Sequence, residues 1–134
     1  ENNLKVLSVE YDKKGNATHT TEFIYDENNT LIRKNDFDET GSHTSYTEYD
    51  YTDDGLRVES GYLPNGILMD KSYFDEIGFL VKSEYYYKGN LDTIYEFDPE
   101  TFCGKMTSYD EDGNVIYYAE YDENGDIVKE ESYE

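Results

Sequence analysis

Sulfur chemistry is nearly absent from this chain, which has one cysteine, Cys103, in 134 residues. That excludes an internal disulfide framework and any zinc site built from several thiolates, and leaves the redox compartment open. Basic residues are scarce as well, 11 Lys+Arg against 32 Asp+Glu, for a net charge of −21. A chain this acidic repels phosphate backbones and anionic lipid surfaces, so nucleic-acid and membrane-surface binding are disfavoured. No stretch approaches the ~20 apolar residues of a membrane span, and no Lys-flanked apolar segment has the form of a signal peptide. Tryptophan is missing altogether, which argues against large flat sugar platforms.

Aliphatics are thin too. Leu, Ile, Val and Phe make up about a fifth of the chain, a composition on the border of disorder at this charge. The 16 tyrosines decide for a folded chain, because each buried aromatic removes roughly 150–250 Å² from water. The length suits one domain over 1–134, or one run of small repeats.

The repeat is visible as an aromatic residue followed four positions later by glycine. Examples are Tyr11-Asp-Lys-Lys-Gly15, Phe37-Asp-Glu-Thr-Gly41, Phe74-Asp-Glu-Ile-Gly78, Tyr85-Tyr-Tyr-Lys-Gly89, Tyr109-Asp-Glu-Asp-Gly113 and Tyr121-Asp-Glu-Asn-Gly125. Asn29 replaces the glycine after Tyr25, and the unit at Phe97 reaches its glycine late, at Gly104. The aromatic anchors fall at 11, 25, 37, 51, 62, 74, 85, 97, 109, 121 and 133, a period near twelve. Asp at the first turn position and Gly at the fourth is the chemistry of a type I turn closed by a left-handed residue. A bulge at that glycine pairs each anchor with the residue six positions on: Tyr25 with Leu31, Tyr62 with Leu68, Phe74 with Leu80, Tyr85 with Leu91, Tyr109 with Val115 and Tyr121 with Ile127.

Between turns lie strand-forming runs such as Val115–Tyr121, and no window has helical periodicity. The predicted fold is therefore all-β: an antiparallel up-and-down meander of about 10–11 strands, as a single twisted sheet or an open barrel. A two-layer sandwich is the remaining solution. The steps of eleven, Tyr51 to Tyr62 and Phe74 to Tyr85, reverse the face unless a bulge intervenes. They place an expected bend in the middle of the chain.

Tandem Tyr-Asp-x-x-Gly-x-aliphatic units such as Tyr121–Ile127 and Tyr109–Val115 resemble the YD repeats of the Rhs family. The two-strand spacing is similar to the YD-like tandem repeats of predicted secreted lipoproteins in Gram-positive bacteria. Gly-x-Leu with Tyr-rich strands, as in Tyr62–Leu68, resembles variant MORN repeats. The lipoprotein resemblance implies an extracellular or envelope-attached protein, with a lipid anchor upstream of Glu1.

Several residues invite a site. Glu120-x-Asp122-x-Asn124-Gly125-x5-Glu131 comes close to a calcium-loop pattern, so Asp122, Asn124 and Glu131 are the metal candidates, although Asp-x-Asn-Gly is already explained as a turn. Exposed aromatics at Tyr85, Tyr86, Tyr87, Tyr117 and Tyr118 are the ligand candidates, for a protein or glycan partner. His19 and His43 hold corresponding places in two duplicated units and read as surface histidines. Cys103 lies in the one irregular turn, with Lys105 as its only basic neighbour. No catalytic set and no cofactor motif stand out. The expectation is a non-enzymatic interaction or structural module, the alternative an acidic immunity or antitoxin-like inhibitor of a basic toxin.

Overall fold

Each aromatic-turn unit folds as predicted, one strand and one reversal. The computed structural model describes residues 4–134. Its strands are β1 (Leu7–Tyr11), β2 (Ala17–Tyr25), β3 (Leu31–Asp38), β4 (His43–Tyr51), β5 (Arg57–Tyr62), β6 (Leu68–Phe74), β7 (Leu80–Tyr87), β8 (Asn90–Phe97), β9 (Gly104–Tyr109), β10 (Val115–Tyr121) and β11 (Ile127–Ser132). They form one antiparallel sheet in sequence order, and each strand touches only its sequence neighbours, so the sheet stays open with β1 and β11 as its edges.

The turns follow their side chains. In eight of the ten hairpins the first turn residue donates its N–H to the carbonyl four residues on and accepts from the N–H three residues on, as Asp122 does with Asp126 and Gly125 at 2.9 and 3.0 Å. At six of them the Asp carboxylate also takes the N–H groups at i+2 and i+4. The fourth residue is left-handed, φ 79–89° at seven glycines and 63° at Asn29, a conformation with little penalty for these residue types.

These bonds stabilise the charged carboxylate. Asp12, Asp38 and Asp110 lie below their ordinary 3.8, first through the side chains of Asn16, Thr40 and Asn114; Asp98 and Asp122 do so first through the N–H groups of Glu100 and Asp126. A depressed folded value means stability that is complete above 3.8 and lost as pH falls through the lower folded values. Acid titration of the melting temperature is expected to fall steeply below about pH 4, and Asp→Asn at these five turns to flatten that limb. An equally steep limb in the variant would remove the turns as its cause.

Two hairpins depart from the rule. The predicted pair Tyr85–Leu91 does not form: Tyr85 faces Thr93, and Tyr86 faces Leu91. The reason is local. The chain reverses on a two-residue turn of Lys88 and Gly89, both left-handed at φ 52° and 86°, which brings Tyr87 opposite Asn90. After Phe97 the fourth residue is Thr101, which is not glycine; the left-handed position moves to Phe102 (φ 58°) and the loop lengthens by one residue.

The two steps of eleven do not break the alternation of faces from one hairpin to the next, because the register carries a second irregularity. In eight hairpins the pairing shifts by one residue shortly after the turn, leaving Thr18, Ile32, Thr44, Met69, Val81, Asp92, Ile116 and Val128 unpaired in their ladders. Thr18 and Thr44 fill the gap with a hydroxyl bond to the opposite strand, to the carbonyls of Glu10 and Asp36. The β4–β5 hairpin has no such bulge, and its step of eleven therefore reverses faces just as a step of twelve plus a bulge does. Once Tyr86 is the anchor, the second step of eleven moves to Tyr86–Phe97, where it reflects a turn one residue shorter, Tyr86 pairing with Leu91 at an offset of five.

Cross-strand partners share a face, so the register fixes which side each chain presents. Tyr25, Tyr51, Phe74, Phe97 and Tyr121 lie on one face, called the front, at one end of the strands; Tyr11, Phe37, Tyr62, Tyr86 and Tyr109 lie on the back at the other. Neither face is covered. The accessible surface is 9353 Å², against about 7,300 Å² for a compact chain of this mass. Among the described residues only Val58 and Ala119 are buried apolar side chains. Stability is spread over half-buried neighbours rather than gathered in a core.

Candidate functional site

Aromatic rings free of a covering layer gather on the front of β7–β10. Tyr95 and Phe97, two apart on β8, present parallel rings with centroids 6.4 Å apart and 8° between planes, and Tyr85 meets Tyr95 edge-on at 5.9 Å. Opposite Phe97 stands Gly104, which places no side chain beside the ring. Phe102, from the irregular turn, is 64% exposed at its border, and Tyr121 closes the far wall. The result is a trough of about 440 Å³ that also meets the Asp122–Gly125 turn. Ala119, wholly buried, pairs with Met106, whose sulfur lies 3.9 Å from the Tyr121 hydroxyl.

The ligand candidates read from sequence divide between the two faces. Tyr85 and Tyr117 share one front row, joined across β8 and β9 by Thr93 and Ser108, whose hydroxyls lie 3.2 Å apart. Tyr86 and Tyr118 face the back and donate to Glu84 and Glu120, both at 2.7 Å. Tyr117 donates to Glu130, and Tyr87 has Lys88 over its ring. The trough residues Phe97, Phe102 and Gly104 were missed; the late glycine after Phe97 was the signal that could have found them. Of the metal candidates, Asp122 accepts the N–H groups of Asn124 and Asp126, while Glu131 on β11 accepts from Lys129 and Tyr133. Among the described residues no three His, Cys, Asp or Glu side chains gather so as to hold a metal ion.

Three polar clusters remain. On the back, Glu84, 8% exposed, accepts from Lys82 (2.6 Å), Tyr86 (2.7 Å) and Tyr73 (3.2 Å). Burial pushes its carboxyl up, but the three donors outweigh burial and the net shift is downward. Burial first, then the Glu84 charge, pushes Tyr73 up to about 12, and burial with the Glu84 bond raises Tyr86. On the front, His19 Nε2 lies 3.0 Å from Asp36 and 3.2 Å from Thr21. Acid and hydroxyl share one ring nitrogen, so this is not a proton relay, which needs them on opposite nitrogens. His43 stacks between Phe37 and Tyr46, with its Nε2 buried and unpartnered. Cys103 is half-exposed in its turn.

Asp70 is the ill-placed charge. Its carboxylate fills the space over Gly61, 2.8 Å from where a β-carbon would stand, and burial raises it above 3.8. A raised acid is a stabilising group when protonated, an advantage lost as pH rises through its folded value. Asp70→Asn is expected to stabilise the protein at pH 7 by about 0.3–0.5 kcal/mol, since water still reaches the group, and to be neutral at pH 3. Chemical denaturation at both pH values checks this, and a gain at pH 3 equal to that at pH 7 would contradict it.

Comparison with family models and with curated proteins returns no match. Among solved structures the chain is similar to part of the Tc holotoxin pore of Photorhabdus luminescens, at 10% identity and a TM-score of 0.24. The likeness covers 94% of this chain and 9% of that one.

Proposed function

We propose that this is a non-enzymatic, acidic protein-interaction module displayed outside the cell or on its envelope. The observation that supports it is the open single sheet: both faces are offered to solvent, and its aromatics form surface troughs rather than an enclosed pocket with convergent polar groups. The likeness of the turn units to YD-like repeats of secreted lipoproteins supports the location. Photo-cross-linking tests the binding role, with p-benzoylphenylalanine introduced at Tyr51, 61% exposed on the front, in the native host. A discrete adduct with a second protein is expected, and its absence from several exposed front positions would sink the reading. Protease added to intact cells should degrade the protein; full protection would instead favour the intracellular toxin-inhibitor role.

A further inference from the structure

Lysine and arginine are scarce here, and the sheet uses them in one way. Seven of the eleven, Lys5, Arg33, Lys34, Arg57, Lys82, Lys88 and Lys129, sit over an aromatic ring at 3.8–5.5 Å. In four of these the same cation also pairs with a carboxylate on that face. Arg33 lies over Tyr46 and beside Glu48, Arg57 over Phe74 and beside Glu59, Lys82 over Tyr73 and beside Glu84, and Lys129 over Tyr118 and beside Glu131. Ring, cation and carboxylate recur as a unit, combining the ring quadrupole with an ion pair.

The front trough has two parts of that unit and lacks the third. Its rings are Tyr95, Phe97, Phe102 and Tyr121, its carboxylates Asp122 and Glu123, and among the described residues no cation lies over any of these rings. Lys105 borders the trough, but its cross-strand partners are Glu96 and Glu120 of the back face. Resting on the reading of an interaction module, we propose that this trough binds an arginine or lysine side chain from a basic segment of the partner protein. The chain's charge of −21 raises the local concentration of such a segment, and the trough selects where it docks.

The test is an NMR titration in 150 mM NaCl with a capped heptapeptide alternating arginine and alanine, and with its uncharged citrulline counterpart. Shifts are expected at Phe97, Phe102, Gly104 and Tyr121, with the citrulline peptide at least tenfold weaker. Phe97→Leu with Tyr121→Leu, which keeps the net charge, should weaken arginine-peptide binding at least tenfold; Glu123→Gln should weaken it several-fold, and the distant turn control Glu27→Gln should not. Equal affinity for both peptides, or equal losses at Glu123 and Glu27, would overturn the proposal in favour of general charge attraction. Because the peptide comparison uses the unaltered protein, it stands even where the double variant fails to fold. Saturable binding of maltohexaose at the same residues, with none of the peptide, would also overturn it. Loss of peptide binding while the Tyr51 cross-link persists removes this inference alone; loss of the cross-link removes the module reading itself.

Discussion

Deletion of Ile116 leaves a folded, cooperatively melting protein, whereas deletion of Glu59 abolishes the cooperative transition: this contrast is the expected result of the bulge pattern. Ile116 is the residue of β10 left unpaired toward β9, 42% exposed, with its carbonyl engaged by the Tyr133 N–H; removing it brings Val115 opposite Tyr109 and Tyr117 opposite Ser108 as consecutive rungs with no change of face downstream. The β4–β5 hairpin already has that bulge-free form. Glu59 lies inside this hairpin, where no spare residue absorbs a loss. Its deletion forces either Arg57 and Val58 or Ser60 to Tyr62 onto the wrong face, displacing buried Val58, the Arg57–Phe74 contact or the Tyr46–Tyr62 stack. Conversely, one residue added between Arg57 and Val58 should be tolerated, since it builds the bulge that other hairpins have. Differential scanning calorimetry separates the three variants. A sharp transition for the Glu59 deletion, or none for the Ile116 deletion, would show that register is not held this way.

Glu84→Ala is expected to have the largest effect of any single substitution. It removes the acceptor of two half-buried hydroxyls and a lysine, a cost of about 2–3 kcal/mol given that Lys82 remains partly in water. At this chain length that lowers the melting temperature by about 5–10 °C. The alkaline side supplies an independent check. Tyr73 and Tyr86 are raised above 10.0, so the stability they contribute is complete below pH 10 and lost as pH rises through their folded values, about 12 for Tyr73. Ultraviolet titration of the tyrosinates should show a late-ionising fraction in the parent that shrinks in Glu84→Ala, burial alone holding what remains of the Tyr73 and Tyr86 shifts. If the two titrations superimpose, Glu84 does not hold these hydroxyls.

Much of the fold was legible because the turn chemistry is repeated and local. Asp and Gly three apart fixed the reversals, and offsets of six correctly paired Tyr25 with Leu31, Tyr62 with Leu68, Phe74 with Leu80, Tyr109 with Val115 and Tyr121 with Ile127. The second bulge was not legible: Thr18, Ile32, Met69 and Asp92 share no chemistry, and what they share is distance from a turn. Missing it misassigned the anchor in Tyr85–Tyr87, where three adjacent tyrosines give the pattern no preference, and produced a break in the alternation of faces that the pairing does not have. The same parity error hid the site, since Tyr85 and Tyr86 cannot serve one ligand from opposite faces. Gly104 looked like a late turn glycine, and only its place opposite Phe97 makes it the floor of a trough.

The alternation of anchors between ends and faces amounts to a twofold screw axis running across the strands. Each unit is the previous one advanced one strand spacing and turned over, so the sheet has no inside and outside, only two equivalent sides in antiphase. A gene can therefore lengthen such a protein by a single strand-and-turn, without the paired duplications that a one-sided sheet requires. Usable surface then grows in proportion to the number of units, because no increment is consumed in covering another.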